Sequence, residues 1–326
     1  MSKIIEFKNI SKDFKIWTKK GAGFINLFRR EKKIINALKE IDFEIEEGDI
    51  VGYIGPNGAG KSTTIKIMSG ILTPTSGDCT IMGQTPWKDR KKYVKNIGVV
   101  FGQRSQLWWD VPIIDSFQLL KDIYKIPDAE YEETLNELIN TLNLKDLLNR
   151  PLRQLSLGQK MKCELAGSLL HRPKVLFLDE PTIGLDAITK LAVRDFIKAI
   201  NKKWGTTIIL TTHDMNDIDA LTNKIILIGR GQILYNGKFS DIKGKYGNIK
   251  EIEVEFAKNY PSIKLDGYTT ISHNKNMATL RNNEDTQFNV KDFFNEITQK
   301  YEVIDFQVNS ISVDEILAQL YTELKL

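Results

Sequence analysis

A glycine-rich stretch at residues 55–62 has the residue types that hold phosphate groups. It reads Gly-Pro-Asn-Gly-Ala-Gly-Lys-Ser and fits the pattern G-x-x-x-x-G-K-[ST]. An apolar run at 50–54 precedes it and a helical pattern follows it, so the turn would aim backbone N–H groups at phosphates. We expect this turn to bind a nucleotide through Asn57, Gly58, Ala59, Gly60, Lys61, Ser62 and Thr63.

Two side chains of the turn would act directly. Lys61 would neutralise the outer phosphates. Ser62 would offer its hydroxyl to Mg²⁺, because this small, hard cation takes only one or two protein ligands beside the oxygens of the nucleotide.

A pair of carboxylates follows a second apolar run, at 175–178. A parallel strand delivers its last residues to the ligand-binding edge of an α/β sheet. Asp179 would hold the Mg²⁺ shell through water, and Glu180 would orient and polarise an attacking water, because phosphoryl transfer depends on positioning and charge stabilisation. The alternative for such a pair is a helix N-cap in a turn.

The stretch 155–159, Leu-Ser-Leu-Gly-Gln, is similar to the L-S-G-G-Q signature of ATP-binding cassette (ABC) proteins, with Leu157 in place of the first glycine. Three further features of that family are present: a Q-loop glutamine at Gln103, a D-loop at 181–186 and a switch histidine at His213. The match covers most of the chain, which resembles the ATP-binding subunits of ABC-2-type exporters.

The resemblance implies a dimer in which each ATP lies between the phosphate-binding turn of one protomer and the signature of the other. Ser156 and the backbone N–H of Gly158 would present a helix N-terminus to the γ-phosphate, with Leu157 and Gln159 beside them. Taken alone, the same stretch is typical of a serine-capped helix start.

The resemblance also implies ATP and Mg²⁺ as cofactors and gives roles to the remaining loops. His213 would hydrogen-bond the γ-phosphate and hold the geometry of Glu180 and the water, although a lone histidine after a strand is more often a polar turn residue. Gln103 would reach Mg²⁺ or the attacking water, and Asp186 of the D-loop joins the catalytic set.

An aromatic ring is expected to stack on adenine. Phe14 occupies the family's position for it, with Trp17 as a second candidate. Packing in the core is the alternative for Phe14.

Composition favours a globular protein that does not itself span a membrane. The chain has 326 residues, of which 41% are hydrophobic and 27% charged. It contains no apolar run of about 18 residues and no signal-peptide core at its start, so we expect a cytoplasmic protein, peripheral on the inner face of the cell membrane. Cys79 and Cys163 do not have metal-site spacing, and a net charge of +4 is too small to indicate nucleic acid. We therefore expect no nucleic-acid partner and no metal other than Mg²⁺.

Two segments have more than one interpretation. Residues 19–33 form a basic, partly amphipathic insertion, either a solvated loop or a contact for anionic lipid headgroups or a membrane subunit. Trp108 and Trp109 either pack in the core or line the groove that receives a coupling helix of the membrane subunit.

The predicted fold class is α/β: a P-loop ABC ATPase domain with a mixed sheet core, an antiparallel β subdomain and a helical arm at about 104–171. Turn-rich sequence near residue 244 indicates a boundary. We expect residues 1–244 to form the nucleotide-binding domain and 245–326 a small α+β accessory domain.

The predicted function is ATP hydrolysis by a transporter subunit that dimerises, as a homo- or heterodimer, and drives a separate transmembrane permease, with export favoured. The alternative is a soluble ABC ATPase acting on ribosomes or DNA. Ribosome-acting members usually carry two cassettes and DNA-repair members long coiled-coil or zinc insertions, and neither pattern occurs in this sequence. A P-loop kinase is disfavoured by the signature and D-loop.

Overall fold

The computed structural model describes residues 2–19, 30–102, 105–246, 249–283, 286, 288–310, 315, 316 and 320. Packing divides the chain into two compact units, Met1–Gly237 and Lys238–Leu326. The boundary expected from the sequence, after residue 244, falls inside the helix Phe239–Tyr246 of the second unit.

The first unit alternates strands and helices. In chain order its elements are β1 (Lys3–Lys19), β2 (Arg30–Glu46), β3 (Ile50–Ile54), α1 (Lys61–Met68), β4 (Ser76–Ile81), α2 (Arg90–Tyr93), β5 (Ile97–Phe101), α3 (Ile113–Tyr124), α4 (Asp128–Leu142), α5 (Leu157–Leu169), β6 (Val175–Asp179), α6 (Ala187–Trp204), β7 (Thr207–Thr211), α7 (Met215–Leu221), β8 (Lys224–Gly229) and β9 (Gln232–Lys238).

The central sheet of this unit has six strands in the order β5-β6-β7-β3-β8-β9. Strand β3 pairs in parallel with β7 and β8, and β6 pairs in parallel with β5 and β7. All five residues of β3 and of β7 are buried, which explains why these strands are continuous apolar runs. The parallel strands therefore end at one edge, where the motif residues follow them.

A second sheet of the unit is antiparallel, in the order β2-β1-β4. Strands β1 and β2 each have 17 residues, whereas β4 pairs with β1 only from Ile5↔Ile81 to Ser11↔Ser76. Inside, Phe7 stacks on Phe43 with ring centroids 4.4 Å apart.

The helical arm consists of α3, α4 and α5. Helix α5 packs against both α3 and α4, and each helix has a fully buried apolar side chain: Phe117, Leu138 and Leu165. The arm places the N-terminus of α5, and with it the signature, at the surface.

The second unit is a small α+β fold. Its elements are α8 (Phe239–Tyr246), β10 (Lys250–Phe256), β11 (Tyr268–Asn274), β12 (Met277–Asn282), α9 (Val290–Lys300) and β13 (Val303–Ser310). The strands form an antiparallel sheet in the order β11-β12-β10-β13, and one of its faces packs on Phe293 and Ile297 of α9. Across both units, no described helix is long and apolar enough to cross a membrane.

Candidate active site

The phosphate-binding turn connects β3 to α1 and depends on glycine at two positions. Gly60 has φ +116°, and a Cβ atom there would lie 2.9 Å from the carbonyl oxygen of Ala37. Gly58 has φ +79° and open space around it, so the backbone at this point is accessible to a ligand. The turn therefore has the accessible backbone that a phosphate cradle requires.

Lys61 folds back over this turn. Its Nζ donates hydrogen bonds to the carbonyl oxygens of Gly55, at 2.5 Å, and Pro56, at 3.2 Å. Burial lowers the pKa of Lys61, an effect opposed by the nearby carboxylates of Glu180 and Asp179. The ammonium group thus sits between backbone carbonyls and carboxylates and would gain from an anionic ligand.

Two of the cavities at this edge of the sheet contain residues of the phosphate-binding turn. One, of about 190 Å³, is lined by the predicted nucleotide-binding residues of the turn together with Ala37, Glu180 and His213. The other, of about 300 Å³, brings Ser62 together with Asp179 and Glu180. A hydroxyl and a carboxylate are the oxygen donors that Mg²⁺ accepts, and two such ligands leave room for water and phosphate oxygens, so these residues fit that ion.

The carboxylate pair is positioned by the neighbouring strand β7. The Thr211 hydroxyl donates to Asp179 Oδ1 at 2.5 Å, and the Glu180 N–H donates to the Thr211 carbonyl at 3.0 Å. Glu180 has φ +56°, a left-handed conformation that non-glycine residues rarely adopt, and its Oε1 lies 2.9 Å from Nε2 of His213. No helix begins at this pair, so the N-cap alternative is wrong.

The D-loop aspartate caps the following helix. Asp186 Oδ1 accepts a hydrogen bond from the Thr189 N–H at 3.0 Å, and Oδ2 accepts one from the Thr189 hydroxyl at 2.7 Å. These bonds lower the pKa of Asp186. Asp186 therefore has a structural task at the start of α6.

The signature begins helix α5. Ser156 is its N-cap: its Oγ accepts from the Gln159 N–H at 3.3 Å, and its own N–H donates to Gln159 Oε1 at 3.0 Å. Leu157 is 47% exposed, and a Cβ on Gly184 of the D-loop would lie 2.9 Å from its Cδ2. A Cβ on Gly158 would lie 2.8 Å from Thr189 Cγ2. None of the four signature residues lines either cavity described above.

Three predicted residues remain: Gln103, Phe14 and Trp17. Gln103 falls outside the described residues. Phe14 is half-buried opposite Ile35 on β2, with Lys12 Nζ 5.4 Å from its ring centroid, and it does not line the cavity of the turn. Trp17 is 61% exposed.

The two tryptophans between β5 and α3, Trp108 and Trp109, lie at the surface. Trp108 is 40% and Trp109 is 54% exposed, so packing in the core does not explain them. Lys160 of α5 places its Nζ 4.4 Å from the ring centroid of Trp109.

Sequence reasoning missed three residues that position the site. Gly102 donates its N–H to the Asp179 carbonyl at 2.8 Å, and a Cβ there would lie 2.7 Å from the Glu180 carbonyl. Thr211 is fully buried between the carboxylates. The third is Asp217, which is also fully buried. It accepts hydrogen bonds from Thr182 of the D-loop, from Thr212 beside His213 and from Arg194 of α6, and so connects these three segments. A polar residue at the end of an apolar strand was the signal for Thr211.

Comparison with known proteins agrees with this geometry. Residues 38–183 match the family described as ABC transporter. The ABC transporter A family member 1 of Dictyostelium discoideum is 33% identical over 241 residues, which cover 74% of this chain and 27% of that protein. The ABC transporter ATP-binding protein NatA of Bacillus subtilis is 30% identical over 215 residues, which cover 66% of this chain and 87% of NatA.

A solved structure is also similar. The dimeric post-hydrolysis state of the ATP-binding cassette MJ0796, bound to ADP and Pi, has a TM-score of 0.60 and 28% identity, covering 72% of this chain and 98% of that chain. The chain spans about a quarter of the length of the Dictyostelium relative.

Fold and site together define an α/β P-loop ATPase. Given its similarity to NatA over most of that protein, the chain belongs to the ABC transporter family as one of its ATP-binding proteins. The family and fold class predicted from the sequence are confirmed.

Proposed function

We propose that this chain is the ATP-hydrolysing subunit of an exporter at the inner face of the cell membrane, where two ATP-binding chains close head to tail and drive a separate transmembrane permease. The observation that carries the proposal is the meeting of Lys61, Glu180 and His213 around one cavity. A carboxylate beside a phosphate cradle is the arrangement that attack of water on a γ-phosphate requires.

Different side chains of the site have different roles in ATP hydrolysis. The turn at 55–62 holds the phosphates of ATP, with Lys61 leaving its backbone partners to reach them. Glu180 orients the attacking water, and His213, 2.9 Å from Glu180 Oε1, holds that carboxylate and the γ-phosphate in place.

Ser62 and Asp179 would hold Mg²⁺, with Asp179 acting through water. Bound there, Mg²⁺ would neutralise charge on the phosphate oxygens during transfer. Gln103 reaches the metal or the water, Phe14 or Trp17 stacks on adenine, and Asp186 of the D-loop belongs to the catalytic set.

Dimerisation explains the position of the signature. Ser156 is exposed at the N-terminus of a 13-residue helix and does not line the cavities of its own chain. The positive end of that helix would instead face the γ-phosphate on a second ATP-binding chain.

The exposed tryptophans between β5 and α3 support a membrane partner. Tryptophan is enriched at the energetic centres of protein interfaces, and Trp108 and Trp109 lie side by side at the surface. We assign them to the socket for a helix of the permease. The export direction rests on the basic insertion and on the extension after the first unit.

The test separates nucleotide binding from turnover. In the purified chain, Lys61→Ala should lose both ATP binding and hydrolysis, whereas Ser156→Arg should keep ATP binding by the monomer and lose hydrolysis. The matched control is Gln154→Ala, an exposed residue just before the signature, which should keep both.

Normal hydrolysis by folded Ser156→Arg protein would contradict the head-to-tail site. For the transport role, the chain should co-purify from detergent extracts with a multi-spanning membrane protein, and Ala at Trp108 or Trp109 should reduce that association while sparing hydrolysis by the chain alone. Co-purification with ribosomal proteins instead would favour the soluble alternative.

A further inference from the structure

Strands β1 and β2 continue beyond the sheet that they share with β4. From Asp13↔Asn36 to Lys19↔Arg30 they pair without a register shift, whereas pairing with β4 ends at Ser11. We call residues 13–19 and 30–36 the ribbon. Two strands alone are marginally stable in water, so a ribbon of this length is expected to have a binding partner.

The ribbon exposes large apolar side chains on both of its faces. Trp17, Ile16, Ile34 and Ile35 are 61%, 43%, 51% and 42% exposed. Because Lys15 pairs with Ile34 and Phe14 pairs with Ile35, Trp17 and Ile34 share one face, and Ile16 and Ile35 share the other. A protein groove would cover one face, whereas immersion among lipid headgroups covers both.

The charges of the ribbon are mostly positive. Residues 13–19 and 30–36 contain two carboxylates, Asp13 and Glu31, against the cationic residues Lys15, Lys19, Arg30, Lys32 and Lys33. Asp13 accepts a hydrogen bond from Asn36 Nδ2 at 2.7 Å. Lys15 lies beside Ile34 and Lys33 lies beside Ile16 across the strands, and both lysines are exposed.

This mixture matches a bilayer surface better than a protein interface. Lysine is depleted in protein interfaces, whereas a membrane surface attracts lysine to its phosphates and tryptophan to the headgroup level. Long lysine stems can lie along apolar groups while their ammonium ions remain in the polar layer.

We propose that the ribbon binds the surface of a bilayer that contains anionic phospholipids. Its isoleucines and Trp17 enter the headgroup layer, which leaves Phe14 as the ring that stacks on adenine, and Lys15 and Lys33 contact lipid phosphates. The inference rests on the proposed function, because a transporter subunit works beside a membrane, and it names the lipid class that the subunit contacts.

The experiment is vesicle co-sedimentation of the purified full chain, using phosphatidylcholine vesicles with and without phosphatidylglycerol. Wild-type protein should bind the phosphatidylglycerol vesicles, and added salt should weaken binding. Lys15→Gln with Lys33→Gln should weaken binding roughly 25-fold, at about fivefold per lysine near an anionic surface. Ile16→Ser with Ile34→Ser should also lose most binding.

The matched controls are exposed residues outside the ribbon. Lys91→Gln with Lys92→Gln removes two exposed lysines from α2, and Ile123→Ser removes an apolar side chain that is 56% exposed. Both should bind vesicles like the wild type. ATP hydrolysis by the ribbon variants should be unchanged, which also shows that they fold.

Equal binding to both vesicle types, equal binding by ribbon variants and wild type, or no binding by wild type would each overturn the proposal. Ribbon variants that bind vesicles normally but fail to co-purify with a membrane protein would assign the ribbon to a protein partner instead. A wild-type chain that hydrolyses ATP but does not bind vesicles would refute the role of the ribbon alone, whereas a wild-type chain that binds vesicles but shows no hydrolysis would refute the proposed function.

Discussion

The hydroxyl of Thr211 offers a sharp test of how the carboxylates are held. Valine at this position keeps the shape of the side chain and removes the donor that lies 2.5 Å from Asp179 Oδ1. The Glu180 N–H, which also lies 3.2 Å from Thr211 Oγ1, keeps the Thr211 carbonyl as its partner. The substitution therefore removes one hydrogen bond to a charged group and leaves the backbone paired.

The size of the effect follows from that single bond. A hydrogen bond to a charged group contributes about 1.5–3 kcal/mol, and Thr211 is fully buried, so water does not replace it. If all of this free energy serves to orient Asp179 in the transition state, kcat should fall roughly 10- to 150-fold. The KM for ATP should change less than about threefold, because the phosphate-binding turn is untouched.

Steady-state ATP hydrolysis measures both constants, and thermal unfolding measures the share of the loss that falls on stability. Thr211→Ser restores the hydroxyl without the methyl group and should recover kcat to within about threefold of wild type. Wild-type turnover by Thr211→Val, or equal losses in the valine and serine variants, would refute the role of the hydroxyl.

Three further predictions concern His171, Asp217 and Gly102. Burial lowers the pKa of His171 from 6.5 to about 4, so the unfolded chain binds a proton between these values that the folded chain does not. Stability should therefore fall by up to about 3 kcal/mol as the pH drops from 6.5 to 4, and His171→Phe should remove that dependence in urea unfolding. Asp217→Ala should lower the unfolding free energy by about 3 kcal/mol, because Arg194 loses its buried partner and keeps Asp214, at 3.6 Å. Gly102→Ala should reduce kcat at least about tenfold with ATP binding retained, because its Cβ would displace the backbone of Glu180.

Each has its own control. His171 stacks on Tyr124 with ring centroids 3.9 Å apart, and phenylalanine at position 171 keeps a ring there. If the stability of His171→Phe still falls between pH 6.5 and pH 4 as in the wild type, other groups cause the pH dependence. Asp195→Ala, on the exposed face of α6, should cost less than about 0.5 kcal/mol, and an equal loss at both aspartates would contradict the buried pair. Gly244→Ala meets no atom within 4 Å and should leave turnover unchanged. Wild-type turnover by Gly102→Ala would show that the site tolerates the shift.

The sequence predicted the elements that its local patterns encode. The apolar runs at 50–54 and 175–178 are buried strands because both faces of the central sheet are covered, and the glycines between them and the helices mark turns. Since both strands end at the same edge, Lys61, Asp179 and Glu180 had to lie close together. His213 joined them because β7 lies between β6 and β3.

Some contacts and strands could not be predicted from local sequence patterns, because they depend on strand order and on proximity in three dimensions. Thr211 reaches Asp179 only because β7 pairs with β6, a neighbour that is distant in sequence. The sequence did not indicate strand β11, because most of its residues are polar and exposed and it lacks the alternation that marks a half-buried strand. Strand β1 continues to Lys19 and strand β2 begins at Arg30, so both strands extend into the insertion at 19–33. The sequence did not indicate this extension because lysines interrupt the apolar pattern.

The central claim is that ATP is bound between two ATP-binding chains. Glu180→Gln should keep ATP binding and lower turnover by roughly 100-fold or more, because it removes the group that orients the water. Light scattering of this variant on a sizing column with ATP and Mg²⁺ tests the claim most directly. The predicted result is a dimer that retains one ATP for each chain, and a monomer that elutes with ATP bound would contradict it.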